Sequence, residues 1–233
     1  MSQEEAVYCR GVSKRYGQKY ALNDLNLSLP KGCVVGVLGP NGSGKSTLFR
    51  ALTNLTRPDS GEVRVLGRRP NWKTNEEIAY LPDRARWYPE QSVQQAFEWA
   101  TRLLPGFDRA FAEQLASTMK LDLDMRTAGM SRGQEARLML ILCIARDVPL
   151  TILDEPFTGI DAISREQIIQ GLIEHMSTGD RTMLVSTHEI YEAEPLFDHA
   201  VFMNEGQVQL SGDAERLRGE YGSMHTILNK LYR

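Results

Sequence analysis

The sequence has no long hydrophobic run, few cysteines and little net charge, and each absence excludes a class of protein. No apolar run approaches the roughly 18 residues that cross a bilayer, so a role at a membrane would need a separate membrane-spanning protein. The net charge of −3 gives no sign of a broadly basic surface, and we expect no nucleic-acid partner. Cys9, Cys33 and Cys143 lie far apart without metal-ligand spacing, which indicates reduced packing residues of a cytosolic protein.

The start of the chain and its composition indicate one globular domain. The first ten residues, MSQEEAVYCR, are acidic and lack the apolar core of a signal peptide. With 233 residues, 42% of them hydrophobic, the chain is long enough to bury a sizeable core. Because no internal repeat, low-complexity run or Ser/Gly linker divides it, we expect residues 1–233 to form a single domain.

Hydrophobic patterning predicts an α/β fold. Residues 6–30 alternate like strands around the turn YGQK, and the continuous apolar run at 33–39 is typical of a strand buried on both faces. Further strand patterns occur at 61–67, 77–82, 150–156 and 182–188, and residues 200–212 resemble a hairpin. Between them, about 90–135, the pattern is helical, with Phe97, Ala100, Leu103 and Leu104 on one expected face. We interpret this segment as an inserted α-helical subdomain.

A phosphate-binding loop follows the buried strand. The stretch GPNGSGKST satisfies G-x-x-x-x-G-K-[ST] and leads into a helical pattern, the context that supports the motif. The candidate nucleotide-binding residues of this loop are Gly39, Pro40, Asn41, Gly42, Ser43, Gly44, Lys45, Ser46 and Thr47. Lys45 can reach the β- and γ-phosphates, and Ser46 can ligate Mg²⁺. The predicted fold is therefore a P-loop NTPase with a mostly parallel core sheet, an N-terminal antiparallel β subdomain and the inserted helical subdomain.

Two adjacent carboxylates follow a second buried strand. In TILDEP, four residues of an apolar run place Asp154 at the carboxyl end of the strand, where such sheets bind their ligands. Asp154 is a candidate Mg²⁺ ligand, and Glu155 is the candidate catalytic residue that acts on a water nucleophile.

A second candidate anion site lies at GMSRGQEARL, residues 129–138. Ser131 and Gln134 have the S-x-x-Q spacing of a capping box. Leu138, Ile141, Leu142 and Ala145 then recur at helical spacing. We expect a loop that delivers backbone N–H groups to the start of a buried helix.

The order of these motifs resembles the ATP-binding cassette of ABC transporters over roughly residues 6–215. The motifs are the phosphate loop, MSRGQ, LDEP, GID and STH. The resemblance implies an ATPase that uses ATP and Mg²⁺ and pairs head-to-tail with a second cassette, either identical or different. It also implies a separate transmembrane permease, which would hold the cytoplasmic chain at the inner face of the cell membrane.

The resemblance assigns roles residue by residue. Ser131, Gly133 and Gln134 match a signature loop that contacts the γ-phosphate bound by the partner cassette, whereas Met130 and Arg132 depart from that pattern. Of the remaining matches, Tyr16 would stack on adenine and Asp161 would link the two nucleotide sites. His188 would contact the γ-phosphate and, with Glu155 and Lys45, completes the set of candidate catalytic residues.

Asp83 stands where the family usually has a glutamine that links nucleotide to permease. Either Asp83 approaches Mg²⁺, directly or through a water, or its carboxylate pairs with Arg84 or Arg86 in a loop that docks a partner. We favour the docking interpretation, because two nearby arginines are easier partners than a site crowded with phosphate. Trp87 and Tyr88 follow these arginines, a composition enriched at interfaces.

The short chain and the missing glutamine resemble ATPases of ABC-2-type exporters, including antibiotic-resistance systems. We expect an exporter subunit. A subunit of an importer would use the same cassette and stays an alternative, and a non-transport cassette is a weaker one. The transported substrate cannot be read from these residues.

Overall fold

The computed structural model describes residues 4–83, 85–158, 160–176, 181–188 and 193–232. Strands β1 (Glu5–Tyr16) and β2 (Lys19–Pro30) form the antiparallel hairpin expected over residues 6–30. Strand β4 (Ser60–Val65) pairs antiparallel with the other edge of β1. This sheet, in the order β2-β1-β4, is the predicted antiparallel β subdomain.

The second sheet carries the phosphate loop and the two carboxylates. Its strands are β3 (Val34–Leu38), β5 (Ile78–Leu81), β6 (Leu150–Asp154), β7 (Thr182–Thr187), β8 (His199–Asn204) and β9 (Gln207–Asp213). They lie in the order β5-β6-β7-β3-β8-β9, and all pairs are parallel except β8 with β9. β3, β6 and β7 are buried at every residue, as parallel strands covered on both faces should be. The predicted fold class is confirmed.

Helices cover both faces of this sheet. They are α1 (Lys45–Leu52), α2 (Val93–Leu103), α3 (Arg109–Thr118), α4 (Arg132–Ile144), α5 (Ala162–Met176), α6 (Ala214–Tyr221) and α7 (Met224–Leu231). Short 3-10 turns lie at Thr74–Glu77, Thr127–Gly129 and Glu194–Leu196. The 90–135 segment contains α2, α3 and the start of α4. Its status as a subdomain stays a prediction, as does the single-domain interpretation of residues 1–233.

Two hydrophobic clusters hold these layers together. One packs α2 to α5 on the parallel sheet, with Phe97, Leu115 and Ile141 buried. The other joins the opposite face to α1 and to the antiparallel sheet. Burial raises the pKa of Cys9 and Cys143 to about 12, so these thiols stay protonated and act as packing groups. No helix within the described ranges is long and apolar enough to cross a membrane.

The prediction that Leu103 belongs to the apolar face of α2 was wrong. Phe97 and Ala100 are fully buried, but Leu103 is 62% exposed. Leu103 is the last residue of α2, at the margin of the apolar face, where the cluster no longer covers the helix.

Candidate nucleotide site

The phosphate loop connects β3 to α1 through glycines that admit no side chain. A Cβ on Gly39 would overlap the Met203 carbonyl oxygen, and one on Gly44 would overlap the Ala21 carbonyl oxygen. Gly44 also has a φ of 107° and occupies the N-cap of α1. Because glycine has no side chain with which to cap the helix, the first N–H groups of α1 are left to a ligand.

Lys45 is held inside this loop. Its side chain is 5% exposed, and Nζ donates to the carbonyl oxygens of Gly39 at 2.8 Å and Pro40 at 3.3 Å. The same amine lies 3.4 Å from Glu155 Oε1. Two predicted catalytic residues, Lys45 and Glu155, are thus in direct contact beside the phosphate loop.

Asp154 ends β6 with a buried carboxylate, 2% exposed. Burial raises its pKa, and the charges of Glu155 and Asp83 raise it further, while hydrogen bonds from Ser186 and Ser46 oppose the shift. Removing the carboxylate from water makes its negative charge costly. A bound cation would stabilise this charge, and Ser46, the other predicted ligand, lies near enough to lower the pKa of the carboxyl group.

Glu155 faces His188, the residue predicted to contact the γ-phosphate. Its Oε2 lies 2.8 Å from His188 Nδ1 and accepts the His188 backbone N–H at 3.3 Å. Within the part of the chain that the structure describes, the buried Oε1 of Glu155 and Oγ of Ser43 have no hydrogen-bond partner. Glu155 Oε1 has the Lys45 amine as its ion-pair partner. Buried polar atoms usually have partners, so the Ser43 hydroxyl group points to a ligand that completes the site.

Tyr16 stands at the end of β1, half exposed, where it lines the same cleft as the phosphate loop. The cleft encloses about 370 Å³. Its lining residues include Tyr16, Lys19, Ala21, Asn41, Gly42, Ser43, Gly44, Lys45, Ser46, Thr47, Asp83 and Glu155. The stacking of this exposed ring on adenine stays a prediction.

The predicted capping box at the start of α4 is confirmed. Ser131 Oγ accepts the Gln134 N–H at 3.3 Å, and Gln134 Oε1 accepts the Ser131 N–H at 2.8 Å. Ser131 is exposed. Among the described residues, the signature-loop residues Ser131, Gly133 and Gln134 do not line the cleft of their own phosphate loop.

Gly133 packs against the predicted linking residue Asp161. A Cβ on Gly133 would lie 2.6 Å from Ser164 Oγ and 3.0 Å from Asp161 Oδ2. Asp161 Oδ1 accepts the Ser164 N–H at 2.9 Å and its Oδ2 accepts the Ser164 hydroxyl at 2.7 Å, and these bonds lower the pKa of Asp161. The signature loop and the Asp161 turn therefore form one packed surface.

Asp83 lies between two clefts. It lines the phosphate-loop cleft and the neighbouring one, which Arg86, Arg132 and Glu135 also line. Arg86 forms an ion pair with Glu135 at 3.9 Å, and Arg84 lies outside the described residues. The roles of Asp83 as a Mg²⁺ ligand and as a docking residue both stay predictions.

Sequence reasoning missed two buried residues beside these groups. Arg137 is 8% exposed and donates to the carbonyl oxygens of Gly133 at 3.2 Å and Met119 at 2.8 Å, and to Gln167. Ser186 hydrogen-bonds to Asp154. The signal for Ser186 was its position two residues before His188, on the strand beside β6.

Comparisons with known proteins identify the family. Residues 22–158 match the family model described as ABC transporter. The chain is 34% identical over 227 residues to the daunorubicin resistance ATP-binding protein DrrA3 of Streptomyces coeruleorubidus, covering 94% of this chain and 72% of that protein. It is 32% identical over 235 residues to the zinc transport system ATP-binding protein TroB of Treponema pallidum, covering 93% and 87%.

A solved structure supports the fold. An ATP-binding subunit of an ABC transporter superposes with a TM-score of 0.82 at 24% identity, covering 98% of this chain and 100% of that one. Family subunits of this kind dimerise and work with membrane permease partners. The chain belongs to the ABC transporter family, as an ATP-binding subunit with ATPase activity.

Proposed function

We propose that the chain binds ATP with Mg²⁺ in the cleft between Tyr16 and residues 39–47 and that Glu155 acts on the attacking water. The observation that carries this proposal is the contact of Lys45 with Glu155, at 3.4 Å, at the carboxyl end of β6. It joins the phosphate-binding element to the candidate general base.

The residues present fit a nucleoside triphosphate and its metal. The glycine cradle, the N-terminus of α1 and the unpartnered Ser43 hydroxyl favour phosphate oxygens. Ser46 and Asp154 would hold Mg²⁺, and Asp83 lies close enough for its charge to act on Asp154. Mg²⁺ would neutralise charge on the β- and γ-phosphates.

Lys45, Glu155 and His188 would have different roles in ATP hydrolysis. Lys45, now bonded to carbonyl groups of its own loop, would turn its amine to the γ-phosphate. That exchange would release Glu155 Oε1 for the water, while His188 holds Oε2 at 2.8 Å and fixes the orientation of the carboxylate. Glu155 then accepts the water proton as general base.

A head-to-tail dimer would complete each site. Ser131, Gly133, Gln134 and Asp161 lie on one surface, and Ser131, Gly133 and Gln134 do not line the nucleotide cleft of their own chain among the described residues. We infer that this surface serves the nucleotide of a second cassette. Whether that cassette is a second copy of this chain is testable by light scattering with ATP.

An exporter permease is the partner that we favour. The relatives include a daunorubicin resistance protein and a Nod factor export protein. A zinc transport protein and a sulfate/thiosulfate import protein are also among them, so an importer stays the second candidate. Purification of the tagged chain from detergent-solubilised membranes distinguishes the two. A co-purified permease without a substrate-binding receptor favours export, whereas a receptor favours import.

Glu155→Gln tests the catalytic proposal. Loss of general-base assistance costs about 10²–10⁴ in rate, while ATP binding should survive because the phosphate loop is unchanged. ATP should then hold the variant as a dimer in gel filtration. Glu220→Gln, an exposed acid of α6, is the matched control. Near-normal turnover of Glu155→Gln would contradict the proposal.

A further inference from the structure

Ser186 contacts both Asp154 and Glu155 but is not among the described residues that line the nucleotide cleft. It is fully buried on β7 and is paired in register with Asp154, the last residue of β6. Ser186 Oγ lies 2.7 Å from Asp154 Oδ1 and 2.9 Å from the backbone nitrogen of Glu155. One hydroxyl group therefore contacts both residues of the Asp-Glu pair.

The chemistry of these partners fixes the direction of both hydrogen bonds. The Glu155 N–H can only donate, so Ser186 Oγ accepts there. The single hydroxyl proton is then left for the ionised Asp154 carboxylate, which can only accept. Ser186 thus orients one oxygen of Asp154, and the carboxylate cannot rotate without breaking a buried hydrogen bond.

The second bond supports a strained backbone. Glu155 has a φ of 52°, in the left-handed region, where a residue other than glycine is strained. Its N–H is held by Ser186 twice, through Oγ at 2.9 Å and through the carbonyl oxygen at 3.2 Å. This turn directs the Glu155 side chain towards Lys45 and His188.

We propose that Ser186 is a positioning residue for ATP hydrolysis, which sets the Asp154 carboxylate and the Glu155 turn relative to each other through one hydroxyl group. Ser186 acts through Asp154 and Glu155, so the inference rests on the function proposed for them. Groups that orient metal ligands in this way typically matter by about 10–100-fold in activity.

A matched control is available on the same strand. Thr182, at the other end of β7, is 2% exposed, and its hydroxyl accepts the Gly32 N–H at 3.0 Å. Thr182→Val removes a buried hydroxyl that accepts a backbone N–H, as Ser186→Ala does, but about 13 Å away along the strand. Effects shared by the two variants report lost stability, and effects confined to Ser186→Ala report positioning.

The experiment measures steady-state ATP hydrolysis by the full chain with saturating Mg²⁺, together with thermal midpoints. We expect Ser186→Ala to lower kcat about 10–100-fold, with the KM for ATP changed less than about threefold. Thr182→Val should keep kcat within about threefold of the unchanged chain. Ser186→Thr keeps the hydroxyl group and should recover most of kcat. If Ser186→Ala does not fold, Ser186→Cys replaces it, because a thiol is a weak donor.

Two results would overturn the proposal. One is a kcat for Ser186→Ala, or for its Cys replacement, close to that of the unchanged chain or of Thr182→Val. The other is an equal loss in a folded Ser186→Thr variant. Glu155→Gln, assayed in parallel, separates the two proposals. Normal turnover of Glu155→Gln would contradict the catalytic assignment itself. Lost turnover of Glu155→Gln together with normal turnover of Ser186→Ala would contradict only the role of Ser186.

Discussion

Helices α1 and α4 both begin at a candidate anion site, but they begin in different ways. α1 starts behind Gly44, which offers no side-chain cap, and the side chain of Lys45, the first residue of α1, is buried against the preceding loop. α4 starts behind Ser131, whose capping box with Gln134 uses N–H groups within the chain. We infer that the first end receives phosphate directly. The second uses two N–H groups within its own capping box and also presents an exposed serine hydroxyl group.

The residues that surround the two helix starts also differ. Lys45 at α1 contacts Glu155, and Asp154 lies beside Ser46 at the same place. At α4, Gly133 packs on Asp161. We infer that the start of α1 assembles a nucleotide site within the chain, whereas the start of α4 forms a surface for a second molecule.

Ser131→Arg should give the largest separation between nucleotide binding, which depends on the start of α1, and hydrolysis, which also depends on the start of α4. ATP binding to the isolated chain should be nearly unchanged, because Ser131 is outside the lining of the phosphate-loop cleft among the described residues. Hydrolysis should fall by about 10² or more, as when a donor to reacting charge is lost. Ser92→Arg is the control, since Ser92 caps α2 with the same kind of box. Fluorescent-nucleotide titration and phosphate release measure both quantities, and lost nucleotide binding would contradict the assignment.

Gly133→Ala tests the packing behind the signature loop. The new methyl group would lie 2.6 Å from Ser164 Oγ, and overpacking of this kind costs about 1–3 kcal/mol. We expect about a tenfold loss of hydrolysis with nucleotide binding retained. Gly129→Ala, where a Cβ meets no atom of the described residues within 4 Å, should change neither. Equal behaviour of the two variants would show that the Gly133 contact is unimportant.

Asp83→Asn should give the smallest effect on the isolated chain. If Asp83 serves docking, removing its charge changes basal hydrolysis by less than about threefold, the range of an exposed charge interaction, and weakens recovery of the permease complex. Basal turnover and co-purification from membranes are the two measurements. A loss of about a hundredfold in basal turnover, with normal assembly, would place Asp83 among the metal ligands instead.

Local patterns predicted the parts of the molecule that local physics determines. The capping box of Ser131 depends on residues three apart, and the strand before Gly39 is a continuous apolar run, so both follow from the sequence itself. The individual strands were predicted for the same reason, because each is a local hydrophobic pattern.

Contacts across the fold could not be predicted in this way. The bond from Ser186 to Asp154 depends on the register of β6 against β7, and the packing of Gly133 on Asp161 depends on how α4 meets α5. No spacing within either segment encodes these distances. The exposed Leu103 shows the same limit, since helical periodicity does not reveal where a cluster stops covering a helix.

The most direct test of whether two chains share each nucleotide site mixes two inactive variants. Lys45→Ala removes phosphate binding, and Ser131→Arg removes the surface offered to the partner. If each site takes its phosphate loop from one chain and its signature loop from the other, a mixed dimer contains one site with both defects and one with neither. We predict that ATP hydrolysis reappears on mixing, above the sum of the separate variants. Activity that stays at that sum, although mixed dimers form, would contradict the sharing of each site between two chains.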